Sequence, residues 1–424
     1  MWRLLVPGLR VKRFLFVIAA GFVGVGAAIG RWLSPDPLSL LSGILLALIG
    51  LVLVAIGSWG LSKTVGAVLG SEKWAGVLYS RRQLARGPKV VALGGGTGLP
   101  VVLRGLKNYT SNLTAVVTVA DDGGSSGRLR GDLGMLPPGD IRNCMVALAD
   151  TEPLMEELFQ HRFQQGELTG HSFGNLFLAA MEQTAGDFVT ALRESSRVLA
   201  VRGTVLPATL DRVTLWAELE TGEKIYGEST IGRSPAKIQR VGMDPPDATP
   251  LAEAVQAIME ADMVVLGPGS LFTSVIPNLL VRPIQEAIRH TRAVRVYVAN
   301  VMTQPGETSH YTVRDHLDAL ESQVGRGLVD VVLVNNQPVN EEILERYRRE
   351  GAEPVLPVGM EAGSWPEVVA VPLITIDGVV RHDPDKLARA LLKLMVRYRP
   401  HWSEGRVIDG LWLEARLRER KRGV

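Results

Sequence analysis

The sequence predicts an α/β fold built on a parallel sheet, with a small β-containing insertion and a transmembrane hairpin in front of it. Three observations predict it. Two long stretches near the N-terminus carry no charged residue. From residue 89 onward, short β-branched runs end repeatedly in glycine-bearing polar loops that open helices. Between about Arg197 and Ala248 that alternation gives way to closely spaced β-type runs.

The uncharged stretches are Phe14–Gly30 and Leu38–Ser62. About 20 apolar residues span a bilayer core as a helix, so the second is long enough and the first becomes so when extended toward Val11 and Leu33. Ser-Pro-Asp-Pro between them stops a helix. A cleaved signal peptide would match the first stretch alone, but a second span follows and no tidy small-x-small cleavage site precedes Arg31. Spans at about 12–33 and 38–62 are therefore expected. Arg3, Arg10, Lys12 and Arg13 precede the first, and Lys63, Lys73, Arg81, Arg82 and Arg86 follow the second. By the positive-inside rule both ends lie in the cytoplasm, which makes 1–88 an anchor with a juxtamembrane connector in the inner membrane.

Charge divides the same way. The chain of 424 residues carries 46 Lys plus Arg and 44 Asp plus Glu. Its first 90 residues hold eleven basic and two acidic side chains, a net +9 that leaves the remainder at −7. An acidic main body excludes a general nucleic-acid binder, which needs a broad basic face. The single cysteine, Cys144, excludes an intrachain disulfide framework and a cysteine-based zinc site.

The first strand, Lys89–Leu93, runs into Gly94, Gly95, Gly96, Thr97 and Gly98 and then a helix over Val101–Lys107. Strand, glycine turn and helix is the arrangement in which main-chain amides accept phosphate. A second strand, Leu113–Ala120, ends in Asp121, Asp122, Gly123, Gly124, Ser125, Ser126, Gly127 and Arg128. Ligands of open α/β sheets bind beyond the carboxyl ends of strands near the topological switch. There the acids suit a ribose hydroxyl pair or Mg²⁺, and Arg128 and Arg130 suit phosphate.

Further clusters follow. The run from Leu136 to Asn143 offers Asp140, equally an N-cap, and Asn143. His171 and Asn175 sit before a helix at Leu176–Thr184, as ligand contacts or as local backbone partners. Met263–Leu266 is a strand ending in Gly267, Pro268, Gly269 and Ser270, a second candidate anion cradle. Val294–Ala299 leads to Asn300, Thr303 and Gln304, and Asp330–Val334 to Asn335 and Asn336. One-sided architecture places these strand ends around one crevice.

The runs GGGTG, TVADDGGSSGRLR, PPGDIRN, GHSFGNL, GPGSLFTSVIPNLL and NVMTQPGET, in this order, resemble the bacterial gluconeogenesis factor family, which is related to 2-phospho-L-lactate transferase. The resemblance covers roughly Val90–Leu394. It implies a doubly wound, mainly parallel α/β sheet with a nucleotide crevice. It further implies binding of UDP-sugars such as UDP-N-acetylglucosamine and a role in cell shape and envelope synthesis during gluconeogenic growth. The hairpin lies outside the family's general pattern and moves the expected location from the cytosol to the inner face of the membrane.

The domain expectation is thus an anchor over 1–88, a nucleotide-sugar-binding domain over 89–400 and a basic tail over 401–424. No Ser-His-Asp set, histidine cluster or cysteine nucleophile is legible, so no catalytic residue and no metal ligand is assigned, and whether the chain is an enzyme stays open. Competing readings are a phospho-group transferase with Asp121 and Asp122 on Mg²⁺, and an NAD-dependent oxidoreductase. Against the latter, Asp122 and the GGSSGR loop add anion-binding groups where a Rossmann site has one acid. A homo-oligomer and envelope-synthesis proteins are the partners left open.

Overall fold

A computed structural model of the chain describes residues 11–33, 37–69, 83–150, 153–234, 236–359 and 365–399, and positions 410, 413 and 417. Apart from positions 410, 413 and 417 the expected tail over 401–424 lies outside the described residues, as does half of the connector over 63–88, residues 70–82. The chain separates into two units, Met1–Arg82 and Gln83–Val424.

In the first unit, α1 (Val11–Trp32) and α2 (Pro37–Leu69) pack against each other. Both contain a stretch long and apolar enough to cross a membrane, Arg13–Trp32 and Leu41–Gly60. Glycine sets how close they come. A Cβ on Gly50 would stand 2.7 Å from the carbonyl oxygen of Gly21, closer than real Cβ atoms approach. Helices without a hydrophobic drive between them gain from such backbone proximity.

The second unit is a doubly wound α/β domain. Its seven-stranded parallel sheet runs in the order β10 (Glu367–Val371), β9 (Val331–Asn335), β8 (Val294–Val298), β7 (Met263–Leu266), β1 (Val90–Gly94), β2 (Leu113–Val117), β3 (Thr204–Pro207). The central strands are continuous Val/Leu runs buried along their whole length, as expected where helices cover both faces. From β1 the chain winds outward through β2 to β3, then returns to β7 and winds the other way. The reversal falls between β1 and β7, which pair directly, Leu93 opposite Leu266.

The middle segment divides differently from the expectation. Thr204–Leu206 belongs to β3, the edge of the main sheet, paired in parallel with β2. The insertion proper is an antiparallel sheet of β5 (Lys224–Tyr226), β4 (Thr214–Leu219) and β6 (Ile238–Asp244). Strand β4 alternates, burying Leu215, Ala217 and Leu219 while Thr214, Trp216 and Glu218 are half-buried. The β-type run at 204–206 carries no period that tells edge strand from insertion; pairing with β2 decided it.

Beyond β10, β11 (Ile374–Asp377) and β12 (Val379–His382) form a separate hairpin. With the helix Glu341–Arg349 it builds a second, small apolar cluster of Val301, Met302, Ile374, Val380, Ile343, Leu344 and Tyr347. Tyr347 Oη accepts a hydrogen bond from Val380 N at 2.9 Å, and Lys386 Nζ donates to Ile374 O at 2.7 Å, tying hairpin to helices.

Candidate functional site

A cavity of about 620 Å³ opens at the carboxyl ends of β1, β7 and β8, where the strand order reverses. Such a volume is in the range that holds a small-molecule ligand. Gly96, Thr97 and Gly98 from the loop after β1 face Pro268, Gly269 and Ser270 from the loop after β7. These loops nearly touch: a Cβ on Gly98 would lie 2.2 Å from the carbonyl oxygen of Pro268. Gly96 has φ +59°, a left-handed conformation that costs other residues about 1–2 kcal/mol.

Side chains from the loop after β8 hold the second turn in place. Asn300 Oδ1 accepts from Gly269 N at 3.1 Å while its Nδ2 donates to Gly269 O at 2.9 Å. Gln304 Nε2 donates to Ser270 Oγ at 2.9 Å. The segment after Ser270 is a π-helical turn, Leu271–Val275, rather than a regular helix start. Its first amides are already engaged, because buried Glu307 accepts from Phe272 N at 3.3 Å and Thr273 Oγ1 at 2.7 Å. Burial raises the Glu307 pKa above the ordinary carboxylate value. The expected second anion cradle thus carries an internal carboxylate on its helix side and leaves Gly269 and Ser270 to the cavity.

Of the expected site residues, Gly96, Thr97, Gly98, Asn143, Gly269, Ser270, Asn300, Thr303 and Gln304 line this cavity. Gly94, Gly95 and Gly267 stand at the ends of β1 and β7 and are not among the lining residues. Asp121, Asp122, Gly123, Gly124, Ser125, Ser126, Arg128, Asp140 and Asn175 are not among its walls. Arg128 instead donates to Thr169 O at 2.8 Å, and Arg130 to Val213 O at 2.7 Å.

The acids form a group of their own. Asp121 Oδ1 accepts from Gly123 N and Asp122 Oδ1 from Ser229 N, each at 2.9 Å, so the two carboxylates cap different loops. Asp140 Oδ2 accepts from Gly96 N at 2.7 Å. Burial, then the charge of Asp121, raises the Asp140 pKa to about 6 against the pull of that amide. Glu228, on a short helix of the insertion, is raised to about 7 by burial and then by Asp121, Asp140, Asp122 and Glu307. Among the described residues no three His, Cys, Asp or Glu side chains converge as a metal site would require.

Sequence reasoning missed the outer wall. Arg104, Tyr347, Arg381 and His382 also line the cavity. Among the described residues buried His382 has no partner for Nε2, and burial lowers its pKa to about 4, so it is neutral. The RHD run could have signalled a strand end carrying a cation, but only the hairpin register, Thr375 opposite Arg381, brings it to this wall.

The relatives agree with this architecture. A family model described as 2-phospho-L-lactate transferase CofD matches residues 90–363. Over 311 residues the chain is 51% identical to the gluconeogenesis factor of Bacillus subtilis (strain 168), covering 73% of this chain and 98% of that one. This chain belongs to the gluconeogenesis factor family. A protein of Nostoc sp. is 48% identical over 417 residues, covering 92% of this chain, too much for the match to begin at residue 89. Similarity within the gluconeogenesis factor family therefore reaches into the apolar N-terminal unit. A crystal structure of a UPF0052 family member from Bacillus halodurans superposes with a TM-score of 0.68 at 48% identity, covering 72% of this chain and 99% of that one.

Proposed function

We propose that the crevice between the β1 and β7 loops binds a nucleoside-diphosphate sugar, UDP-N-acetylglucosamine foremost. On this reading the protein is a membrane-anchored regulator of envelope synthesis and cell shape in gluconeogenic growth. The observation that carries the reading is the meeting of two glycine-bearing main-chain turns at the strand-order reversal, with Arg104 and Arg381 both among the residues that line the same cavity. Main-chain turns at such a point suit a diphosphate, and the arginines supply charge and planar donors. The relative's name, gluconeogenesis factor, supports the metabolic setting. In this proposal α1 and α2 cross the inner membrane and the α/β domain faces the cytoplasm. Titration calorimetry of the full chain in detergent micelles, with UDP-N-acetylglucosamine, GDP and NAD, tests the reading. Tight binding of the UDP-sugar alone supports it, and preference for NAD overturns it.

The group of acids favours a second reading. Asp121, Asp122, Asp140 and Glu228 gather beside the nucleotide crevice, where a transferase would hold an acceptor and balance charge. Mass spectrometry of UDP-N-acetylglucosamine after long incubation with the protein and Mg²⁺ separates the readings. Intact ligand supports the regulator, and its loss supports the transferase.

A further inference from the structure

Arg142 lies between the two expected contacts Asp140 and Asn143, yet neither the sequence nor the crevice lining assigns it a part. It is buried, and burial followed by the Arg162 charge lowers its pKa only to about 10, so it stays a cation at neutral pH. Among the described residues it makes no ion pair, and its Nε has no hydrogen-bond partner. Its other nitrogens are engaged by neutral groups. Nη1 donates to Ser172 Oγ and, at 3.0 Å, to Asn175 Oδ1; Nη2 donates to Asn143 Oδ1 at 2.8 Å.

A guanidinium can only donate, so each amide it meets must turn its oxygen inward. Asn143, which lines the cavity, is left with its NH₂ group for a ligand. Asn175 is turned likewise and donates through Nδ2 to Ser125 Oγ at 3.1 Å. Among the described residues the hydroxyl proton of buried Ser125 then finds its acceptor in His171 Nδ1, at 3.1 Å. With that proton given to Nδ1, the His171 ring carries its own on Nε2. Burial and the Arg128 charge lower the His171 pKa, in keeping with a neutral ring.

We propose that Arg142 sets the hydrogen-bond polarity of the crevice, presenting Asn143 to the ligand as a donor and holding His171 as the Nε2–H tautomer through Asn175 and Ser125. Arg142 is a positioning residue on this account, since Asn143 stands between it and the cavity. The ligand atom opposite Asn143 is an acceptor, a phosphate or carbonyl oxygen. Amino and hydroxyl protons are excluded from that position. This rests on the nucleotide-sugar reading of the cavity.

Two measurements on the full chain in detergent micelles decide it. Imidazole ¹⁵N spectra need no ligand: His171 is expected wholly as Nε2–H in the wild type and as a tautomer mixture in Arg142→Met. Calorimetry with UDP-N-acetylglucosamine at pH 8 is expected to show Asn143→Asp binding about tenfold more weakly or worse, because Arg142 would hold one carboxylate oxygen and turn the other, charged, on the ligand. An Nδ1–H tautomer in the wild type overturns the proposal, as does Asn143→Asp binding like wild type. Should Arg142→Met fail to fold, the wild-type tautomer and the Asn143→Asp affinity still decide. Failure of the wild type to bind any UDP-sugar would sink the nucleotide-sugar reading and leave the tautomer result standing.

Discussion

Asp140 Oδ2 sits 2.7 Å from the amide nitrogen of Gly96, so a carboxylate already occupies the tightest point of the turn expected to receive phosphate. The contact joins the loop after β1 to the start of the helix Gly139–Leu148 and fixes the left-handed Gly96. An incoming anion meets a turn held rigid from behind and must find its donors on the cavity side.

That rigidity predicts a graded glycine series. Gly98→Ala would drive a methyl group into Pro268 O and should destabilise the domain by about 1–3 kcal/mol, the usual cost of overpacking. Gly96→Ala has room for its Cβ, whose nearest neighbour is Ser274 Oγ at 3.5 Å, but bears the left-handed strain of about 1–2 kcal/mol. Chemical denaturation of both variants checks the order. UDP-sugar affinity should fall more for Gly98→Ala, because its clash moves both turns.

The arginines should separate cleanly. Arg104→Ala and Arg381→Ala remove charge from the cavity walls and should each weaken UDP-sugar binding by ~1.5–3 kcal/mol, the scale of a hydrogen bond to a charged group. Arg128→Ala, whose guanidinium is held by Thr169 O away from the cavity, should bind within about twofold of wild type, a change of only ~0.4 kcal/mol. Equal losses at all three positions would move the diphosphate toward the acids.

Glu228 predicts a pH signature of stability. Its folded pKa of about 7 lies above the ordinary 4.5, so the folded state binds the proton more tightly than the unfolded state does. Stability from this group therefore declines as pH rises from about 4.5 to 7 and stays reduced above that. Glu228→Gln removes the effect. Its melting temperature should exceed wild type at pH 8, and the gain should vanish toward pH 4.5. A constant gain across that window would show that Glu228 is not the titrating group.

Reporter fusions test the anchor. Fusions at Met1 and after Val424 should both be active in the cytoplasm, and a tag at Asp36 should be reachable from outside. Gly50→Ile should force α1 and α2 apart, since its side chain would enter the Gly21 carbonyl. Cysteine cross-linking between the two helices reads that separation.

The sheet was legible because its inner strands are short, mainly apolar runs, β1 and β7 stopped by glycine and the others by polar loops, and Met263–Leu266 needed no correction at either end. The main-chain half of the crevice was legible for the same reason, since Gly96 and Gly269 are required by local backbone geometry. The outer wall was not. Arg381 and His382 reach it through the pairing of β11 with β12, and Tyr347 through a helix with no buried residue of its own. Arg128 shows a related point: its sequence position beside the glycine-serine loop does not reveal that its guanidinium donates to Thr169 O. Local pattern reports backbone needs, whereas side-chain destinations depend on distant partners.

The small apolar cluster of Val301, Met302, Ile374 and Val380 with the helix Glu341–Arg349 is packed apart from the main core, and it carries one side of the crevice. The binding surface is therefore shared by two bodies of unequal cohesion. The Gly96 and Gly269 turns follow strands buried in the main core, while Arg381 and His382 ride on a patch with its own small apolar cluster. Measured affinity then equals the intrinsic affinity multiplied by the fraction of molecules whose patch is seated. Ile343→Ala, inside that cluster but outside the cavity lining, would change ligand dissociation constants without touching a single ligand-contacting atom.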